Sequence, residues 1–314
     1  MTPAAWDAGL AEPAPLLQSW GYGEVQTYEG WEVERLELAA GLRVSVQLQG
    51  RGKLRRAYVP RAPVPATAEA VDALVAWADE HGLARLRLEP EAPSDFASCL
   101  RERGFVPAAA LHPEHTLIVP LGPPEEMLAS FKPKHRYNIR LAERRGVVVE
   151  EGADASELER QHAVTAERQG IKAAARHHYE LRLEHLEWCR TYVARHDGEA
   201  IAAIMVARFR GRAYYLFGGS SRSKRELMPT YAVQWAAMQA AHAAGCRDYD
   251  LWGVPPTPDP SHPWFGLWQF KSGFGGELRD YCGAWDLVRS AAAAGAGEAA
   301  ARLRRGVLKL VNIR

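Results

Sequence analysis

Apolar positions at Val71, Leu74, Val75 and Ala78 within TAEAVDALVAWADEH recur at helical spacing, which predicts a helix over residues 67–81 with one buried stripe. Thr67 offers an N-capping hydroxyl and Gly82 a C-terminal stop. Residues 24–49 alternate instead. WEVERLEL and LRVSVQLQ, parted by Ala40-Gly41, read as a β-hairpin. After the helix come a short strand (LARLRLE), a loop (PEAPSD) and a second helix ending LRERG before Phe105. The second half repeats this order. YAVQWAAMQAAHAA (231–244) is an amphipathic helix stopped by Gly245, CRDYDLWG is a strand, and a loop with Pro255, Pro256, Pro258, Pro260 and Pro263 follows. A strand-like WQF run then leads into FKSGFGG, which supplies Gly273-Phe274. The order helix, glycine, strand, loop, Gly-Phe therefore occurs twice and predicts two similar α/β domains made by duplication.

Composition narrows the class. The chain has 314 residues, 47% hydrophobic and 25% charged, the balance of a globular protein of about two domains. Its longest apolar run, residues 200–207, is too short to span a bilayer, and the acidic N-terminus lacks an export pattern. Cys99, Cys189, Cys246 and Cys282 are far apart with no CxxC, so neither a disulfide framework nor a zinc site is indicated. His177, His178 and His185 do not have HExxH spacing. A cytoplasmic, metal-free protein without a cofactor is expected.

Net charge is +1, which argues against coating nucleic acid by bulk charge. The distribution is uneven. Residues 131–145 hold six cations (Lys132, Lys134, Arg136, Arg140, Arg144, Arg145) and one anion (Glu143), a local net of 6 − 1 = +5. On a helix Arg136, Arg140 and Arg144 share one face, suited to phosphate, with Tyr137 and Leu141 on an adjacent packing stripe.

Helix–Gly–strand–helix–Gly-Phe is, by analogy, the latter half of an N-acetyltransferase-like (GNAT) fold. In that fold a glycine-rich loop at a helix N-terminus holds the CoA pyrophosphate. Here the segment is SSRSKRELMPTY, without glycine between Gly219 and the helix and with Met228-Pro229 at its start, which counts against CoA.

Four blocks carry a family resemblance: KHRYNIRLAERRGV (134–147), YLFGGSS (215–221), LMPTYAVQWAAMQAAHAAGCRDYDLWGVP (227–255) and WFGLWQFKSGFGGELRDYCGAWDLV (264–288). Over about residues 115–290 the chain resembles the Fem-type aminoacyltransferases that build peptidoglycan interpeptide bridges. The resemblance implies two GNAT-like domains, here of the armless FemX-like kind without a coiled-coil arm: 1–146 plus 284–314, and 147–283. It implies an aminoacyl-tRNA donor and an acceptor amine on the third stem-peptide residue of a peptidoglycan precursor, either UDP-MurNAc-pentapeptide or a lipid-linked form. The competing readings are a CoA-dependent N-acyltransferase acting on an amine or amino sugar, and a non-catalytic binder of cell-wall precursor or tRNA.

An activated ester needs no enzyme nucleophile; positioning and charge stabilisation suffice. The resemblance points to Lys271 as the catalytic group, a cation stabilising the tetrahedral intermediate or a phosphate of the tRNA acceptor end. Asp250, a lone acid in YDLWG, is a candidate proton acceptor, and Tyr215 a group orienting ester or amine. Gly273, Gly275 and Gly276 permit close backbone approach to an anion, or form a plain turn. Arg168, Arg176 and Tyr179 are candidate contacts to precursor phosphates and sugar. Trp264 and Trp268 offer stacking faces, or pack the proline loop. The C-terminal AARLRRGVLKLVNIR is a basic helix expected to return to the first domain or to touch the inner membrane face.

Overall fold

The structure is a computed structural model that describes residues 1–38, 41–169 and 173–290. The chain divides into two compact units, Met1–Glu114 with the segment beginning at Asp280, and His115–Arg279.

The first unit opens with helices α1 (Pro3–Ala8) and α2 (Trp20–Tyr28), followed by strands β1 (Glu32–Glu37), β2 (Arg43–Gln49) and β3 (Arg56–Pro60). Helix α3 (Ala68–Glu80) crosses over to β4 (Arg85–Glu89), and α4 (Ala97–Glu102) leads to β5 (Val106–Ala108). The hairpin β1–β2 forms as the alternation predicts, with Leu36 opposite Val44. Residues 24–28 are helical rather than extended. The Ser19 hydroxyl caps α2 by accepting the Tyr22 amide, and Tyr22, Val25 and Gln26 are buried at helical spacing. Helix α3 has the predicted Thr67 cap and buries Val71, Leu74, Trp77 and Ala78 on the sheet. A fully buried leucine contributes about 1.5–3 kcal/mol, so this stripe fixes the helix more firmly than propensity does.

The second unit runs β6 (His115–Pro120), α5 (Pro124–Ser130), α6 (Pro133–Arg144), β7 (Val148–Gly152), α7 (Ser156–Gln169) and α8 (Arg176–His185). The meander β8 (Cys189–His196), β9 (Glu199–Phe209), β10 (Arg212–Ser220) follows. Helix α9 (Pro229–Ala243) crosses to β11 (Asp248–Gly253), then come α10 (Phe265–Lys271) and β12 (Glu277–Asp280), and the chain returns to the first unit as β13 (Ala284–Val288). The WQF run is helical, not a strand. Among the described residues no helix is long and apolar enough to cross a membrane.

The two sheets have the same plan. Their orders are β1-β2-β3-β4-β13-β5 and β12-β6-β11-β10-β9-β8-β7. Each contains an antiparallel meander, a helical crossover to a parallel strand (β3–α3–β4, β10–α9–β11) and an inserted antiparallel strand beyond it. The inserted strands are exchanged: β6, which follows β5 in sequence, lies between β11 and β12, while β13, which follows β12, lies between β4 and β5. This exchange moves the boundary from the expected residue 146 to residue 114, so the basic segment 131–145 belongs to the second unit. The predicted basic C-terminal helix lies outside the described residues.

Candidate active site

In the first unit β3 and β4 stay paired to their ends, Pro60 opposite Glu89. In the second, β10 and β11 pair only at Arg212, Ala213 and Tyr214 against Asp248, Tyr249 and Asp250. Beyond that point they part. The β10–β9 register shifts between Tyr215 and Phe217, the β11–β6 register shifts between Asp250 and Gly253, and Trp252 takes a left-handed φ of 61°. A notch opens between the strand ends, in one of the two repeats only.

Lys271, the last residue of α10, fills this notch from the side. Its Nζ donates to the Gly253 carbonyl at 2.8 Å and stands 5.4 Å from the centroid of the Tyr215 ring. The side chain is 1% exposed, and burial pushes the ammonium down to about 7 against the opposing pull of the Asp250 carboxylate. Burial therefore disfavours the charged form of the cation expected at this position. Asp250 is buried and accepts from the Thr116 hydroxyl and from the Trp252 amide at 2.7 Å. Burial pushes the Tyr215 phenol up to about 12, with Gln234 as its hydrogen-bonding neighbour. Gln234 also accepts from the Tyr249 hydroxyl at 2.9 Å. Gly218 is required here, since a Cβ would overlap the Tyr215 hydroxyl. The three predicted residues Lys271, Asp250 and Tyr215 are thus brought together.

The first turn of α6 grips the segment around Lys271. The Lys132 amide donates to Gly273 O at 2.9 Å, Lys132 Nζ to Ser272 Oγ at 3.2 Å, and the His135 imidazole to Phe270 O at 2.8 Å. Gly273 has no Cβ because the His135 ring occupies its place, and a Cβ on Gly276 would lie 2.6 Å from the Ile118 carbonyl. Gly275, at φ 77° and ψ −151°, adopts a backbone that glycine alone tolerates. Close packing accounts for these glycines.

On α6 the buried face is His135, Asn138, Ile139 and Ala142. Tyr137 does not pack; it is 57% exposed, with the Arg144 guanidinium 5.9 Å from its ring centroid. Arg140 and Arg144 are exposed, and neither forms an ion pair among the described residues. Arg136 is committed to the carbonyls of Ala129 and Phe131 at 3.1 and 2.5 Å, which removes it from the exposed stripe.

The remaining candidates separate. Tyr179 is fully buried, its hydroxyl 2.6 Å from His162 Nδ1, and burial pushes the phenol to about 12, so it is a core residue. Arg176 is exposed and paired with Glu159 at 2.7 Å. Arg168 lies near Arg225 and Arg222; burial and these two charges lower its pKa. Trp268 is half-buried against the second core, and the Trp264 amide donates to His262 Nδ1 at 3.0 Å. Sequence reasoning assigns no role to His135 or Gln234, although both fall inside the quoted blocks KHRYNIRLAERRGV and LMPTYAVQWAAMQAAHAAGCRDYDLWGVP, nor to Thr116, which lies outside all four.

Residues 184–301 match the FemAB family. The lipid II:glycine glycyltransferase of Staphylococcus saprophyticus is 38% identical over 80 residues, 26% of this chain and 19% of that protein. That of Staphylococcus haemolyticus is 32% identical over 97 residues, 31% of this chain and 23% of that protein. The matched stretches span about a fifth of these relatives' length. Among solved structures, FemX superposes with a TM-score of 0.83 at 20% identity, covering 92% of this chain and 96% of FemX. L-PGS from Bacillus licheniformis superposes at 0.54 with 16% identity, covering 97% of this chain and 99% of that one. The fold is that of FemX, an α/β architecture with two sheets of the same plan. In sequence, residues 184–301 are similar to the FemAB family, and in fold nearly the whole chain is similar to FemX.

Proposed function

We propose that the second unit transfers an aminoacyl group from aminoacyl-tRNA to the side-chain amine of the third stem-peptide residue of a peptidoglycan precursor. The observation that carries this reading is the Lys271 amine, held in the notch and titrating near 7. A lysine so tuned accepts and returns a proton at neutral pH. The acceptor amine attacks the ester carbonyl and a C–N bond forms. Neutral Lys271 takes the proton from the attacking nitrogen, the C–O bond to the ribose breaks, and Lys271-NH3⁺ returns that proton to the departing 3′-oxygen. While protonated, Lys271 also steadies the anionic carbonyl oxygen. Asp250 and Tyr215 border the amine and set its charge and direction.

The names of the relatives favour lipid II as the acceptor class and an amino acid as the transferred group. The exposed Arg140, Arg144 and Tyr137 suit the phosphates and a base of the RNA strand. The helix after β10 starts with Met228 in a left-handed conformation and Pro229 at its first position, so this helix start does not provide the amide cradle that CoA requires. The test offers tRNA pools charged with labelled amino acids together with UDP-MurNAc-pentapeptide or lipid II. Label entering a branched precursor that Lys271→Met no longer makes is the expected result; transfer from acyl-CoA alone would replace the reading.

A further inference from the structure

We infer that His135 is a positioning residue, which sets where the Lys271 amine stands by gripping the carbonyl immediately before it. The inference rests on the reading of Lys271 as proton carrier. Phe270 O only accepts, so the proton of the 2.8 Å bond sits on His135 Nε2. Nδ1 is then a bare acceptor, buried and without a partner. The ring is 4% exposed, and burial lowers its pKa, which favours the neutral imidazole this tautomer requires.

The neighbours leave the ring one place to be. Tyr231 and Phe274 meet it edge-on with centroids at 4.9 and 4.8 Å, and Gly273 lies against its edge. The charged groups that face it are Lys132 and Lys134, both from its own helix, and Tyr231 faces it from α9. Lys271 in turn is faced by Asp250 from β11 and Tyr215 from β10. Helix α6 therefore holds residues 270, 272 and 273, and residue 271 between them points into the notch. A purely packing role would use an apolar ring. This ring leaves a buried nitrogen unpartnered to keep one hydrogen bond on the Phe270 carbonyl, and an unpaired buried polar atom costs about 1–3 kcal/mol.

His135→Phe keeps the ring and removes the donor, and His135→Gln restores a donor. For His135→Phe we expect kcat to fall by about tenfold or more with KM within about twofold. We also expect the Lys271 midpoint, read by NMR of isotope-labelled lysine, to rise by about one unit toward the ordinary lysine range as water reaches the amine. His135→Gln is expected to restore most of both. A Phe variant that loses thermal stability while keeping the wild-type Lys271 midpoint and kcat overturns the inference. So does wild-type histidine NMR placing the His135 proton on Nδ1, a measurement that needs no variant to fold. If the wild type transfers no aminoacyl group, the proposed function fails, while the Lys271 titration still decides the role of His135.

Discussion

Lys271 Nζ and the Gly253 carbonyl oxygen are joined by a 2.8 Å hydrogen bond that ties the end of α10 to the end of β11. One neutral acceptor cannot replace the hydration of an ammonium ion, and Asp250 compensates only in part. This imbalance loosens the amine's hold on its proton and makes the buried charge costly to the fold.

Lys271→Met is therefore expected to separate activity from stability. The thioether fills similar volume without a buried charge, so melting temperature should hold or rise while transfer falls by about 100-fold or more. Calorimetry beside a transfer assay checks this. A large fall in melting temperature would mean that the amine is chiefly structural.

The same group predicts a pH dependence of stability. Its folded pKa, about 7, lies below the ordinary 10.5, so above pH 7 the unfolded chain retains a proton that the folded chain has released. Stability contributed here then rises with pH, by up to about 1.4 kcal/mol per unit. Denaturant melts of wild type and Lys271→Met between pH 6 and pH 9 should converge as pH rises, by no more than that slope.

Charge reversal on α6 tests the RNA face. Arg140→Glu with Arg144→Glu leaves the buried face of α6 untouched and should not alter the melting temperature. Affinity for tRNA should fall and its salt slope should shrink by roughly two phosphate contacts. Unchanged tRNA binding across a salt series would place the RNA elsewhere on the protein.

Tyr179→Phe provides a contrast. Removing the hydroxyl deprives His162 Nδ1 of its 2.6 Å partner in a buried setting, for a loss of about 1–3 kcal/mol. Turnover per folded molecule should be unchanged. A selective loss of precursor affinity would return Tyr179 to the binding site.

Much of the architecture was legible because it is periodic. The stripe of α3, the hairpin and the twice-used helix–glycine–strand order all follow from spacing. Helix α2 was missed because TrpGlyTyrGlyGlu has poor helix propensity, and the Ser19 cap with tertiary burial overrides it. The WQF run looked extended because its aromatics are β-formers. It is helical, Phe265–Lys271, and ends on the lysine that reaches Gly253. Lys271, Asp250 and Tyr215 were singled out within motifs, whereas the long-range contacts of His135 and Gln234 leave no mark that separates them from their neighbours in the same blocks. Tyr179 was misplaced because an aromatic beside arginines reads alike for a ligand contact and a core anchor.

The crossed placement of β6 and β13 has a consequence for biogenesis. A ribosome that has released only the first 114 residues has made a sheet with a gap between its fourth and fifth strands. The missing piece, Ala284–Val288, is translated after nearly all of the other half. The second sheet, by contrast, draws all its strands from the contiguous stretch 115–280, so the first half waits on a segment made after the second, and not the reverse.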